Sequence, residues 1–551
     1  MGAAMPALDG MMQDWPLTVD RIIDHAARMF PDIEVVTRRH SGAIVRTGYA
    51  ALAEEARLLS RALASQGIGA GDRVATLSGN CDHHLALWYA ISGMGAVTHP
   101  LNPRLARDQL AWIANQAGDR ILFVDPGFVD LAEALAPDLA SVETFVVLAP
   151  RAEVPPNRLD ALGLDEFLDL GRAAPDAGWG GFPESRACSL FYTSGTTSAP
   201  KGVLYSHRSC LLNAMLISLG LELNTDETLM PVVPLFHANG WGFGHIAPML
   251  GKRLVLPGPG LDPASLFELM EREAVTTAAG VPTIWTGLLA YLRETGARLT
   301  HTRRLLVAGS AVPTSLIRAF RDEYDVTLQP AWGMTETNPA GTVGGIVPAG
   351  IEGDEARLAA FARQGRFMFG VEMSVRGADE REVPWDGASP GRLLVRGPCV
   401  VSGYFGADAP AVDGGGWFDT GDIAVVHPDA VMQITDRAKD VIKSGGEWIS
   451  SIAIEEAAAS HAQVESCAVI GIAHEKWGER PLLFIKARPS ARLSEDAMRT
   501  HLSARLDRWC MPDVIEFVED LPLGATGKVD KKQLRARSSA TEGQEKAEGI
   551  A

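Results

Sequence analysis

The sequence predicts an α/β fold: a large N-terminal part of layered sheets and helices, then a smaller α+β unit. Two observations carry this. Through the first 430 residues, apolar β-branched runs closed by turn residues alternate with helix-like runs, the pattern of parallel sheets covered by helices. Near residue 435 the composition changes, and the rest reads as a separate small unit of mixed helices and strands. The length of 551 residues leaves room for about three or four units at roughly 150 residues each.

Taken in order, RVATLSG (73–79) reads as a buried strand bounded by Gly-Asp and Gly-Asn, and LALWYAISGMGAV (85–97) as the apolar helix after it. RILFVDP (120–126), TFVVLAP (144–150), RLLVAGS (304–310) and DVTLQPAWG (325–333) repeat the strand-then-turn theme, with a helix expected near 314–322. In the small unit, 454–474 reads as a helix and then a strand, and PLLFIKARP (481–489) as another strand. SEDAMRTHLSARL (494–506) reads as a helix with Ser494 as its N-cap and Asp496 in its first turn. The polar tail 537–551 lacks aromatics and is expected to be disordered. No internal repeat is visible.

Composition excludes several functions. Lys and Arg number 50 against 68 Asp and Glu, a net charge of −18, which argues against a general nucleic-acid binder. A local phosphate site remains open. Six Cys without a CxxC pair argue against a metal cluster or disulfide framework and fit a reducing cytoplasm. MGAAMPALDGMMQDW (1–15) has no Lys or Arg, so the basic region of a signal peptide is missing, and Pro6 stands where myristoylation wants Ser or Thr. No apolar run reaches the ~20 residues that span a bilayer. The expectation is a soluble, cytoplasmic protein without a transmembrane segment.

The most informative segment is SLFYTSGTTSAPKG (189–202). An apolar strand, Ser189 to Tyr192, runs into Thr193, Ser194, Gly195, Thr196, Thr197 and Ser198, and Lys201 follows. Hydroxyls and glycine backbone N–H groups make a concave donor array for phosphate oxygens. Gly195 lets backbone approach without a Cβ, and Lys201 adds positive charge. The segment does not satisfy the Walker A pattern. It resembles the signature loop of the adenylate-forming superfamily, which contains acyl-CoA synthetases, luciferases and the adenylation domains of peptide synthetases.

The resemblance covers roughly residues 20 to 535. It implies an N-terminal AMP- and acyl-binding domain over 1–436, a hinge at 437–440 and a small mobile C-terminal domain over 437–536. In AWGMTET (331–337) it puts the Trp332 ring on adenine with Gly333 beside it, Thr335 near the phosphates and Glu336 on Mg²⁺. Mg²⁺ prefers oxygen ligands together with substrate phosphates. Thr196 joins Glu336 as a metal ligand. Gly309, Ser310 and Ala311 in VAGSAVP (307–313) are small enough for a flat base to lie on the backbone, although by itself this is a strand-to-helix turn.

Asp422, closing GWFDTGD (416–422), and Arg437 are expected on the ribose hydroxyls. In DRAKDVIKSGGEWISS (436–451), Lys439 and Asp440 are the hinge. Lys443, Gly445, Gly446, Glu447 and Trp448 form the loop that takes the pantetheine arm of coenzyme A, and GGEWISS resembles fatty acyl-CoA synthetases more than peptide-synthetase modules. Lys528 in LPLGATGKVDKKQLR (521–535) is the C-terminal lysine and the leading catalytic residue, with Thr196, Glu336 and His237 completing the catalytic set.

PVVPLFHANGWGFG (231–244) resembles the acyl-pocket segment. His237 takes a positioning role at its boundary, Trp241 an aromatic gate, and Val281 and Pro282 a place in the substrate wall. GWGFG lacks the strand and downstream acid of a dinucleotide motif. Two departures stand out: Ser198-Ala199 replace a frequent Gly-x, and Trp332 replaces a frequent Tyr.

The implied reaction is activation of a small carboxylic acid by ATP and Mg²⁺ to an acyl adenylate, then transfer to coenzyme A. A medium- or long-chain fatty acid comes first. A short acid such as 3-methylthiopropionate, or an aromatic acid, is the nearest alternative, followed by transfer to a separate carrier protein. A non-catalytic sensor would need lost catalytic positions, and Thr196, Glu336, Asp422, Arg437 and Lys528 are all present. The resemblance also admits a homodimer.

Overall fold

The computed structural model describes residues 10–193, 200–223, 226–445, 447–488, 491–524 and 528–538. Among these residues four sheets form. The first has nine strands, in the order 366–367, 340–343, 327–333, 304–307, 277–280, 228–231, 253–256, 34–38, 44–48. Its six middle strands, from Thr327–Gly333 to Glu34–Arg38, run parallel, with registers such as Gly280 on Val307 and Val307 on Pro330. The second sheet has seven strands, 162–163, 144–147, 121–124, 73–77, 97–100, 187–193 and 201–206, parallel up to the antiparallel pair Ala187–Thr193 and Lys201–Ser206.

One core cluster holds Val35, Leu229, Leu254 and Leu306 from the first sheet with Val74, Phe123 and Phe191 from the second. The helix Asp82–Gly93 contributes Leu85 through Ile91 to that core, buried all round as its uniformly apolar sequence requires. The outer face of the first sheet is covered by the helices Pro263–Arg272, Pro282–Thr295 and Thr314–Tyr324. The helices Arg107–Ala117 and Val129–Leu135 cover the outer face of the second. Layered sheets and helices are thus the observed architecture.

A four-stranded antiparallel sheet over 372–376, 391–396, 418–426 and 432–437 follows. The last sheet uses only strands beyond Arg437: 447–449, 442–444, 478–487 and 464–474, with 514–517 added beside 478–487. The helices Ser451–Ala459 and Glu495–Ser503 pack on it, the second capped by Ser494, whose side chain accepts from the Ala497 backbone N–H.

Element ends differ from expectation at two places. The helix expected over 85–97 runs from Asp82 to Gly93, because Gly95 (φ 83°) turns the chain and Val97 already starts a strand. Asp325, read as a strand start, closes the helix Thr314–Tyr324 in the left-handed region (φ 56°), and the strand begins at Thr327. Residues 531–538 are helical and include the first two residues of the expected tail; 539–551 lie outside the described residues. All six cysteines are free. No helix among the described residues is long and apolar enough to cross a membrane.

Candidate active site

Open parallel sheets present ligand sites at the carboxyl ends of their strands. Here four neighbouring strands end in the segments singled out above. Thr228–Pro231 leads to His237 and Trp241, Thr277–Gly280 to Val281 and Pro282, Arg304–Val307 to Gly309 through Ala311, and Thr327–Gly333 to Thr335 and Glu336.

Trp332 lies almost buried on its strand against Phe367, with ring centroids 5.6 Å apart. A Cβ on Gly341 would fall 2.5 Å from the indole, so the neighbouring strand needs glycine there. The indole Nε1 donates to Asp422 Oδ2 at 2.8 Å, and Arg437 Nε meets Asp422 Oδ1 at 2.7 Å. Asp422 and Arg437 are directly paired across the four-stranded sheet, so the ion pair follows from register. Burial raises the Asp422 carboxyl from its ordinary value, while Arg437, Trp332 and Lys528 oppose that shift. Both oxygens are thereby oriented, and each keeps a lone pair for a cis-diol.

Glu336 sits in the short 3₁₀ turn Thr335–Thr337, buried, and Oε1 accepts from the Tyr404 hydroxyl at 3.1 Å. Lys201 Nζ lies 4.7 Å from the Tyr404 ring centroid, a cation–π contact. The Thr335 carbonyl accepts from the Tyr205 hydroxyl at 2.6 Å, tying the turn to the strand Lys201–Ser206. Burial raises the Glu336 carboxyl above its ordinary value. A buried carboxylate so placed suits a hard divalent cation, which would offset its desolvation. Thr193 and Lys201 pair at the mouth of the hairpin. Ser194, Gly195, Thr196, Thr197 and the Ser198-Ala199 departure lie outside the described residues.

Lys528 reaches this region from the C-terminal unit. A small hairpin presents it: the Gly524 N–H donates to the Lys528 carbonyl at 2.7 Å, and the Asp530 N–H to the Pro522 carbonyl at 2.7 Å. The side chain lies over Gly309, where a Cβ would stand 3.4 Å from Lys528 Cε and equally 3.4 Å from Val281 Cγ1. Gly309 holds φ 97°, a conformation glycine tolerates. Burial, then the Arg437 and Lys439 cations, lower the Lys528 ammonium to about 8, with Asp422 pulling the other way. Burial, then the charges of Lys528 and Arg104, lower His237 to about 4, so its imidazole is neutral at pH 7. A neutral ring fits a positioning role.

The remaining predicted residues lie elsewhere on the C-terminal unit. Lys443 pairs with Trp448, its N–H donates to Glu479 Oε2 at 2.8 Å, and the Gly445 N–H donates to the Trp477 carbonyl at 2.8 Å. These contacts are within their own sheet. Gly446 and the Glu447 side chain lie outside the described set. At the expected hinge, the Asp440 and Val441 N–H groups donate to the Arg437 carbonyl, and Arg535 holds the Asp440 carboxylate.

Sequence reasoning missed Tyr404, Tyr205 and Arg535. The hint for Tyr404 was an aromatic pair, Tyr404-Phe405, between Gly403 and Gly406. The site therefore gathers one cation over a glycine shelf, an oriented carboxylate beside an indole, and a second carboxylate held by a tyrosine. A pH dependence follows. The Lys528 ammonium is charged below about pH 8 and loses its charge above it, so kcat/KM for a phosphate-bearing substrate falls as pH rises through about 8. Initial rates between about pH 6 and pH 10 check this; a flat profile counts against Lys528 as the working cation.

Comparison with known proteins shows the family and the fold. The family model for AMP-binding enzyme matches residues 23–405, and that for the AMP-binding enzyme C-terminal domain matches residues 453–528. The chain is 42% identical over 530 residues to a 3-methylmercaptopropionyl-CoA ligase of Ruegeria pomeroyi, covering 96% of this chain and 98% of that one. It is 40% identical over 531 residues to a medium-chain-fatty-acid–CoA ligase of Ectopseudomonas oleovorans, covering 96% and 97%. The crystal structure of an anthranilate CoA ligase in complex with anthranoyl-AMP aligns with a TM-score of 0.85 at 24% identity, covering 96% and 99%, and shares the fold.

Proposed function

We propose, for a chain that belongs to the AMP-binding enzyme family, that it is an ATP-dependent acyl-CoA synthetase working through an acyl adenylate. The observation that carries this reading is Lys528 lying over Gly309, within electrostatic reach of Asp422, Arg437 and His237. A lysine held among other cations, with its charge disfavoured, stands ready for an anion.

In the first half-reaction the substrate carboxylate attacks the α-phosphorus of ATP and pyrophosphate leaves. Trp332 stacks the adenine beside the 309–311 shelf, while Asp422 accepts from the ribose hydroxyls and Arg437 keeps that carboxylate turned toward them. Lys528 supplies positive charge where negative charge develops, an effect that a preorganised site makes large. Glu336 and Thr196 would hold Mg²⁺, which when bound neutralises phosphate charge. Lys201, docked on Tyr404, would add to this from the loop's edge.

In the second half-reaction the thiolate of coenzyme A attacks the acyl carbonyl and AMP leaves. The Lys443–Trp448 hairpin would serve that step; Lys443 and Gly445 make their backbone contacts with Glu479 and Trp477, within the C-terminal unit. In this reading the two halves use two domain arrangements. Rotation about Lys439 and Asp440 exchanges Lys528 for the hairpin, and breaking the Arg535–Asp440 pair frees that turn. We place the enzyme in the cytoplasm, as a soluble protein able to form a homodimer.

The test is thioester formation by purified protein with ATP, Mg²⁺ and coenzyme A over short, long and aromatic acids. Acid-dependent release of pyrophosphate with thioester formation is the expected result. Pyrophosphate without thioester would favour a carrier-protein acceptor, and neither would refute the reading.

A further inference from the structure

The segment 401–405 is fastened to the two elements that carry Glu336 and Lys201. At one end the Val401 N–H donates to the Glu336 carbonyl at 2.8 Å. At the other the Phe405 N–H donates to the carbonyl of Gly202, the neighbour of Lys201, at 2.8 Å. The approach there is close: a Cβ on Gly202 would stand 3.0 Å from Phe405 Cβ. The Tyr205 hydroxyl, on the Thr335 carbonyl, ties the strand Lys201–Ser206 to the Glu336 turn directly.

Tyr404 projects from this segment onto both charges. Its hydroxyl donates to Glu336 Oε1 at 3.1 Å, and Lys201 Nζ lies 4.7 Å from its ring centroid. One side chain thus holds a carboxylate by its hydroxyl and a cation by its face. A phenol ordinarily ionises near ~10, and burial, then the Glu336 charge, raise this one further, so the hydroxyl remains a donor at neutral pH. Donation to an anion polarises the ring and strengthens its attraction for a cation. Without the hydroxyl, the buried Glu336 carboxylate loses a donor that orients it. Without the ring, Lys201, exposed on its strand, regains the rotamer freedom of a surface lysine.

We propose that Tyr404 is a positioning residue for ATP: its hydroxyl sets the Glu336 carboxylate for the divalent cation, and its ring sets Lys201 for the phosphates. The two roles sit on different parts of one side chain, so they can be removed one at a time. This deepens the acyl-CoA synthetase reading and rests on it.

The measurement is calorimetric affinity for α,β-methylene-ATP, whose α–β bridge the reaction does not cleave, first in EDTA and then in saturating Mg²⁺. Tyr404→Phe keeps the ring. It is expected to bind the metal-free nucleotide within about twofold of wild type, while the gain in affinity from Mg²⁺ falls at least about fivefold. Tyr404→Leu removes the ring as well, and metal-free affinity then falls about threefold. In a Lys201→Met background the same leucine substitution costs no further metal-free affinity, because the cation it released is already gone. The Mg²⁺ gain in Tyr404→Phe decides even if the leucine variant fails to fold, since a tyrosine that only fills space would leave that gain unchanged. An unchanged Mg²⁺ gain in Tyr404→Phe, no Mg²⁺ gain in the wild type, or a leucine loss that persists beside Lys201→Met overturns the proposal alone. Absence of thioester from every acid in the wild type overturns the synthetase reading and this proposal with it.

Discussion

Lys528→Ala lowers acyl-adenylate formation on the order of a hundred- to a thousandfold or more, the cost of removing a preorganised group from developing charge. The hairpin closed by the Gly524–Lys528 and Asp530–Pro522 hydrogen bonds uses backbone alone, so the truncation removes the cation without disturbing its support. Transfer to coenzyme A from supplied acyl adenylate is expected to stay largely intact, because in the proposed rotation Lys528 leaves the site as the Lys443–Trp448 hairpin enters it. Pyrophosphate release measures the first half, and single-turnover thioester formation from synthetic adenylate the second. Equal losses in both halves would refute this division of labour.

Asp422→Ala is expected to weaken ATP binding about ten- to a hundredfold, the range of one or two lost hydrogen bonds to a charged group. The loss has two parts. The ribose hydroxyls lose their acceptor, and the Trp332 Nε1 and Arg437 Nε donors, at 2.8 and 2.7 Å, lose theirs. An indole N–H left unpaired in an almost buried position also loosens the adenine platform. Calorimetric titration with ATP checks the effect, and an unchanged affinity refutes the ribose role. Arg437 is partly exposed and finds water, so the damage to stability stays smaller than for a fully buried pair.

The candidate residues could be singled out in the sequence because the requirements that mark them are local. A strand running into hydroxyls and glycine, a small-residue turn after Val307, and a glycine-flanked lysine near residue 528 each write a backbone need into neighbouring residues. Ser494 capping its helix is of the same kind. Parallel strand runs were legible for the same reason, since burial on both faces demands continuous apolar residues. Helix ends were less so: Gly95 stops a helix that apolar periodicity alone carries through to Val97.

What the chain spells out unaided is therefore the layered α/β architecture, the small C-terminal unit and the chemical types of residue at each strand end. Which of those residues meet was decided by folding. Trp332 and Asp422 lie 90 residues apart, Glu336 and Tyr404 68, and Asp440 and Arg535 95, yet each pair is in hydrogen-bond contact. The left-handed turn at 238–242, which buries Asn239, likewise exists only once helix His207–Gly220 packs against it, with Asn213 beside Gly242. Periodicity and turn chemistry act over a few residues. A hydrogen bond between strangers in sequence depends on sheet order, register and burial, which no local stretch of the chain contains.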